Sequence, residues 1–279
     1  MTAFADLSEL INRFTGGNSG NPQNIFFYKS ARVGGAVATA PVIGRWTSLW
    51  EYEGVPAHGA APTATGAALD NTTDGGLKQT DPSGGRELWC AGATCAGANP
   101  GTLLFYDRLA HDGTFSGTTT GAQTVSFTPP SRYSTGAGNC IYLEINTIIG
   151  STATTVQASY TNQAGTSGRT TQAVAIGGTG LREANRLIML PLQAGDTGVQ
   201  NIASVTLAAT TGTAGAFSVI LAHPLLNCPT GLAAGSVRDL VSQMPSLIEI
   251  EIDACIAMAF FAGTITALEM IGSIHMAER

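Results

Sequence analysis

The sequence predicts a mainly β protein: an antiparallel β-sandwich of jelly-roll type with a short N-terminal helical arm and long irregular loops. Two observations support this fold class. From residue 102 to residue 223, eight short apolar or alternating segments follow one another at roughly 10–15-residue spacing, separated by Gly- and Thr-rich turns. Glycine supplies 35 of the 279 residues, which suits a chain that turns often. Eight strands suit a jelly roll.

The first segment, residues 1–20, is predicted to be an N-terminal arm. Within it, residues 5–14 have the periodicity of an amphipathic helix, and two glycines follow. The apolar stripe of this helix consists of Leu7, Leu10, Ile11 and Phe14. Two interpretations remain open: an arm on a Gly- and Asn-rich tether, or a helix folded back on its own domain.

The second segment, residues 21–100, is predicted to be a loop-rich β region. Short strand-like runs occupy residues 24–53, whereas residues 54–101 contain few side chains that could fill a core. Long loops of this kind are usually functional or disordered. Trp46 and Trp50 suit a core, a protein interface or a sugar-binding platform.

The third segment, residues 101–228, is the predicted β-sandwich. Its clearest alternation places Ile141, Leu143 and Ile145 on one face of a strand. The fourth segment, residues 229–279, is predicted to complete the sheet or to form an interface.

Within the fourth segment, residues 233–244 suggest a short helix capped by Ser236. An alternating and then fully apolar run follows. Its apolar part, residues 254–268, is too short for a membrane span, which needs about 20 residues. It is therefore core or interface, and its interface candidates are Ile256, Phe260 and Phe261.

Charge excludes several classes of function. The chain has 13 basic and 19 acidic residues, a formal charge of -6, and only 11% charged residues. Binding to nucleic acid through phosphates needs clustered Lys and Arg, so no nucleic-acid partner is expected. No membrane partner and no export signal are expected either. A weakly charged surface rich in Thr, Ser, Gly and Ala suits burial in an assembly.

Catalytic signatures are absent from the sequence. Neither a GxSxG motif nor a P-loop occurs, and no catalytic, cofactor-binding or metal-binding residues are predicted. Asp107 and His111 lie four apart, a spacing that would place both on one face of a helix, but their segment is predicted to be a strand leading into a turn, where this helical spacing loses its meaning. The other histidines, at positions 58, 223 and 275, have no identifiable partner.

Two further groups of residues are candidate sites. Cys90 and Cys95 suit a zinc pair, a loop disulfide or two buried thiols. Glu249, Glu251 and Asp253 alternate, so they suit calcium, arginines of a partner, or the solvated face of an edge strand.

Three stretches carry a family resemblance: LINRFTGGNSGNPQNIFFYKSARV, LLFYDRLAHDGTFSGTTTGAQTVSF, and the run from ASYTNQAGTSG to FSVILAHPL. They resemble uncharacterised virion structural proteins of tailed bacteriophages, from about residue 9 to the C-terminus. The resemblance implies a particle component of the capsid decoration or cement type. A major capsid protein is less expected, because no segment supports a long spine helix.

The function expected from this resemblance is non-enzymatic. Such a protein decorates and stabilises the capsid by clamping neighbouring subunits, with the major capsid protein and other copies of itself, as a homotrimer, for partners. It would be located in the virion and assembled in the host cytoplasm. Alternatives are a tail or tail-tip component and a receptor- or glycan-binding virion module. The predicted contact residues are Leu7, Leu10, Ile11, Phe14, Trp46, Trp50, Ile256, Phe260 and Phe261.

Overall fold

A computed structural model describes residues 4–231, 236–239, 247–265 and 268–279, the second range by its backbone alone. Strands dominate these ranges, so the predicted mainly β class is confirmed. In chain order the elements are α1 (Leu7–Phe14), a 3-10 turn (Gly17–Ser19), β1 (Gln23–Lys29), β2 (Arg32–Val33), β3 (Ala36–Val37), β4 (Trp46–Ser48), β5 (Gly54–Val55), β6 (Ala67–Ala68), β7 (Leu88–Gly97), β8 (Gly101–Phe115), β9 (Gln123–Thr124), β10 (Cys140–Thr147), β11 (Thr154–Asn162), β12 (Arg169–Thr170), β13 (Val174–Ile176), β14 (Arg186–Leu190), β15 (Val199–Leu207), β16 (Ala216–Thr230), β17 (Ser236–Asp239), β18 (Ile248–Ile250), β19 (Ile256–Ala262) and β20 (Met270–Glu278).

The predicted N-terminal helix is confirmed as α1. The Asp6 carboxylate caps it by accepting a 2.8 Å hydrogen bond from the Glu9 amide. Gly16, with φ 86°, follows the last turn in a left-handed conformation that glycine adopts without steric cost.

Six strands form a closed ring, which we call the barrel. The order is β16–β10–β14–β4–β19–β8, each strand antiparallel to the next, and β8 pairs in turn with β16. Successive side chains of a strand point to opposite faces, so alternate residues point into the ring. The residues that fill it are Leu104, Tyr106, Tyr142, Leu187, Ile220, Ala222, Ala257 and Ala259.

One side of the barrel packs against the sheet that holds the first and last strands, which we call the terminal sheet. Its order is β17–β7–β20–β1–β5, with β18 beside β7. Its inner face contributes Phe27 and Ile274, which pack with Phe105 and Met258 of the barrel. The rings of Phe27 and Phe105 meet edge to face, with centroids 5.6 Å apart.

Another side of the barrel packs against a second sheet, the lateral sheet. Its order is β12–β11–β15–β9, and β13 also pairs with β11. Val156 and Val205 of this sheet pack with Leu143 and Leu221 of the barrel. The described chain is therefore built in three layers with the barrel in the middle, and the finer jelly-roll assignment stays a prediction.

Two local predictions are wrong. Residues 88–97, predicted to be loop, form β7, because their small side chains let β7 lie between β17 and β18 on one side and β20 on the other. The backbone of residues 236–239 forms β17 instead of a helix, since it pairs with β7. The rest of the helix predicted over 233–244, residues 233–235 and 240–244, lies outside the described residues.

The four predicted segments do not coincide with the layers. The terminal sheet combines β1, β5 and β7, from residues 21–100, with strands from residues 229–279. The barrel likewise takes β4 from the second segment and β19 from the fourth.

Candidate functional site

Four of the predicted contact residues lie in the protein interior. Leu10, Trp50, Ile256 and Phe260 are buried. Ile256 and Phe260 belong to the core between the barrel and the terminal sheet, and Trp50 helps to fill the barrel. These residues have no surface to offer a partner, so for them a core role replaces the predicted contact.

The other predicted contact residues remain at the surface to different degrees. On α1, Leu7 and Ile11 are 58% and 55% exposed, whereas Phe14 is half-buried. At the edge of the barrel, the half-buried Trp46 packs on Phe261, with ring centroids 5.2 Å apart. An interface role for these five residues stays a prediction.

The α1 segment is folded back on its own domain, the second of the two interpretations left open by its sequence. The Phe4 ring contacts Trp89 of β7 edge to face at 6.4 Å. The carbonyl of Ser19 accepts a 2.7 Å hydrogen bond from the Arg86 guanidinium. Because Trp89 points to the outer face of the terminal sheet, the segment covers one end of that face and leaves the Leu7–Ile11 stripe outward.

The other end of this outer face carries an apolar row that crosses four strands. Val55, Tyr28, Ile271 and Ala96 are consecutive partners in the register of β5, β1, β20 and β7. Phe26 lies diagonally beside Ile271, within reach of its side chain. Phe26, Val55 and Ile271 are each about half exposed. Exposed apolar patches can mark interaction surfaces, so the row is a candidate contact surface.

Sequence reasoning missed the apolar row. A signal was present in β1, whose sequence QNIFFYK is apolar at both alternating sets of positions, so one set must face outward. The register that joins β1 to β20 and β5 is not readable from the chain, because these strands are far apart in sequence.

The outer face of the lateral sheet is different. Its outward positions on β11 and β15 carry small or polar side chains, among them the exposed Gln157, Ala203 and Thr206. The described part of this face has no large apolar side chain at those positions, in contrast to the outer face of the terminal sheet.

A buried polar cluster lies inside the barrel. Arg108 and Glu144 form an ion pair at 2.7 Å, and both side chains are fully buried. The Arg108 guanidinium also lies 4.3 Å from the centroid of the Trp50 ring and donates a 3.1 Å hydrogen bond to Nδ1 of His111. Burial, and then the charge of Arg108, lowers the pKa of His111 to about 2, so this histidine is neutral.

Glu51 extends this cluster. Its Oε1 accepts a 3.2 Å hydrogen bond from Nδ2 of Asn146. Burial, and then the neighbouring Glu144 carboxylate, raises the pKa of Glu51 to about 7. Among the described residues, the polar atoms of the cluster without a hydrogen-bond partner include Nη1 of Arg108, Oε1 of Glu144, Oδ1 of Asn146 and the hydroxyl oxygen of Tyr106.

Other buried charges are paired or bonded to the backbone. Arg132 contacts both carboxylate oxygens of Asp107, at 2.7 and 2.9 Å, and Asp107 also accepts from the Cys255 amide. The Lys29 ammonium donates to two backbone carbonyls, those of Tyr52 and Pro56, and burial lowers its pKa to about 8. Because each of these charges has partners within the chain, we assign them a structural role in the fold.

The remaining candidates separate in space. Cys90 and Cys95 are free thiols on one extended strand. Five residues of strand span roughly 16 Å, and a disulfide needs Cα atoms within about 7 Å, so the two cannot pair with each other.

Asp253 has φ 60° and lies beyond β18, which ends the predicted alternation with Glu249. Within the described ranges, no group of three His, Cys, Asp or Glu side chains is arranged to hold a metal ion.

The histidines also lie apart. His223 stacks on Tyr133, with centroids 3.8 Å apart, and its Nδ1 is 2.9 Å from Oδ1 of Asn139. His275 lies on the outer face of the terminal sheet, with Nε2 3.3 Å from the Ser273 hydroxyl. No helix in the described part of the chain has the length and hydropathy needed to cross a membrane.

Comparison with known proteins gives only distant likenesses. No protein-family model and no curated protein matches the chain. Among solved structures, the chain is similar to the VP2 subviral particle of infectious bursal disease virus, at 10% identity and a TM-score of 0.20, over 93% of this chain and 81% of that one. For the Gx strain of the same virus the identity is 9%, the TM-score 0.19 and the coverage 93% and 79%. Likeness at this level does not establish a shared fold.

Proposed function

We propose that this chain is a non-enzymatic structural protein of a tailed-phage virion, which decorates the capsid and stabilises it by clamping neighbouring subunits. The observation that carries this proposal is the apolar row on the outer face of the terminal sheet. Apolar and aromatic residues at the centre of a surface patch are the usual anchors of a protein interface. The weakly charged composition and the resemblance to tailed-phage virion proteins support the same function.

The terminal sheet is the side that faces the partner in this proposal. The apolar row supplies its centre, and Leu7 and Ile11 of α1 extend the contact at the other end of the same face. The proposed partners are the major capsid protein and other copies of this chain, in a homotrimer. Repetition on a symmetric shell adds avidity to contacts that are individually weak.

Immunogold labelling tests the location. Antibodies raised against the purified chain are applied to phage particles whose genome encodes it, and we expect gold on the capsids. Gold confined to tails would overturn decoration in favour of a tail component. Unlabelled particles, with the chain absent from their denaturing gels, would overturn a virion role altogether.

The native mass of the purified chain tests the oligomer separately. Light scattering across a dilution series is expected to give three times the mass of one chain. A constant single-chain mass would overturn the trimer but not the decoration, because a monomer can still bind the shell.

A further inference from the structure

We propose that Glu51 is a proton-binding site at one end of the barrel. When Glu51 is protonated, it holds in place the loop of residues 59–75, which packs on Trp50. When Glu51 is ionised, it loosens that loop. Glu51 directly follows Trp50, which stacks on Arg108 inside the barrel. Its carboxyl group contacts Asn146, two residues after Glu144 on β10. The loop after Glu51 is therefore connected to the barrel interior through both side chains.

The charged or titratable groups that face Glu51 come from three elements. They are Glu144 on β10, Arg108 on β8 and His58 in the loop itself. His111, which also contacts Arg108, is neutral. Arg108 is already paired with Glu144 at 2.7 Å. One buried cation therefore faces two carboxyl groups, and a negative charge on the half-buried Glu51 has no cation of its own.

Protonation also improves the hydrogen bonding of the cluster. Glu144 Oε1 and Asn146 Oδ1 lack donors. A neutral Glu51 brings one O–H donor to this cluster, whereas an ionised Glu51 brings only acceptors. Buried polar atoms without partners are costly, so the neutral form suits the closed barrel better.

The segment that responds is the loop packed on Trp50. The indole Nε1 donates a 2.8 Å hydrogen bond to the carbonyl of Ala60, and the Gly59 amide donates to the carbonyl of Trp50 at the same distance. A Cβ added at Gly59 or Gly75 would lie within 3 Å of the indole, so the loop closes tightly over the ring. Movement of Glu51 and Trp50 would be transmitted directly to residues 59–75.

The sign of the pH dependence follows from these contacts. Glu51 binds its proton more tightly in the folded chain, where the pKa is about 7 instead of the usual 4.5. Its stabilising contribution is complete below pH 4.5 and is lost as the pH rises through 7.

The experiment measures urea unfolding midpoints from pH 4.5 to 8.5 for the intact chain, for Glu51→Gln and for the control Glu269→Gln. Glu269 is exposed and directly precedes β20. We expect the wild-type and control midpoints to fall together as the pH rises through 7. The Glu51→Gln midpoint should lose this step and exceed the wild-type value at pH 8.5. Identical pH profiles for all three chains would overturn the proposal.

Two further measurements keep the proposal testable if Glu51→Gln does not fold. Carbon-13 NMR of the wild-type carboxyl groups should show one glutamate titrating near pH 7. Hydrogen exchange, corrected for its intrinsic pH dependence, should show residues 59–75 less protected at pH 8 than at pH 6. A Glu51 carboxyl that titrates near 4.5, or unchanged protection of this loop, would overturn the proposal.

Discussion

The two sheets that flank the barrel have similar inner faces and opposite outer faces. Inside, both pack aliphatic and aromatic side chains against barrel strands. Outside, the lateral sheet presents residues such as Gln157 and Thr206, whereas the terminal sheet presents Phe26 and Ile271. Both inner faces must pack against the barrel, so their side chains are similar. The side chains of the outer faces are free of this requirement and can differ with function. Under the proposed function, this difference makes the terminal sheet the side that faces the partner and leaves the lateral sheet to solvent.

The largest expected effect is a difference in the free energy of unfolding between substitutions on the two faces of β1. Phe27 is fully buried against Phe105, so Phe27→Ala should lower the free energy of unfolding by about 3–5 kcal/mol. Its neighbour Phe26 points outward, and Phe26→Ala should cost less than about 1 kcal/mol. Urea denaturation of both variants measures this. Equal losses would show that the outer face is core.

The next effect concerns attachment. The double substitution Phe26→Asp with Ile271→Asp places two charges in the apolar row and should weaken co-sedimentation with capsids at least tenfold, because interface anchors are worth about 2 kcal/mol each. The matched control is Gln157→Asp with Thr206→Asp on the lateral sheet, which should bind as wild type. Stronger loss in the control pair would reverse the assignment of the two faces.

A smaller effect is expected from α1. Leu7→Ser with Ile11→Ser changes side chains that are more than half exposed, so the free energy of unfolding should change by less than about 1 kcal/mol. Capsid attachment should weaken by roughly threefold, since these residues lie at the rim of the proposed contact. Attachment equal to wild type would remove α1 from the interface while leaving the apolar row in it.

Sequence reasoning recovered the elements better than their arrangement. β11 alternates clearly because only one of its faces packs in a core. β10 is buried on both faces, and it alternates because its apolar face packs against the lateral sheet while Tyr142 and Glu144 lie inside the barrel. β7 was missed because Ala, Gly and Cys give a weak hydrophobic signal, although Cys90 and Ala93 lie in the core. Closure of the barrel depends on the pairing of β8 with β16, whose residues are about a hundred positions apart, and local periodicity carries no information about it.

The candidate site was predicted in part for the same reason. The stripe on α1 is local, so its residues were found, but which of them face outward depends on how the helix docks. The apolar row draws Val55, Phe26 and Ile271 from three separate strands, and it exists only once those strands are paired. For Trp50 and Phe260 the sequence leaves a core role and a contact role open, because large apolar residues serve both equally well.

The smallest expected effect compares the acid response of the lateral sheet with that of the barrel. Asp196 accepts hydrogen bonds from Arg169 at 2.8 Å and from the Tyr160 hydroxyl at 2.6 Å. These contacts, Arg169 first, lower the pKa of Asp196 to about 2. Its stabilising contribution is therefore present above the ordinary pKa of 3.8 and is lost as the pH falls through 2, which is the opposite direction to Glu51.

The corresponding variant is Asp196→Asn, with the exposed Asp74→Asn as its control. The Asp196→Asn midpoint in urea should be slightly below wild type at pH 5, and the gap should narrow as the pH approaches 2, because only the wild-type carboxylate can then be neutralised. Asp74 pairs with Lys78 at the surface, and such pairs contribute little, so its variant should follow wild type throughout. A gap that stays constant as the pH falls would mean that Asp196 stabilises the lateral sheet by its shape and hydrogen bonds, and that its charge contributes nothing.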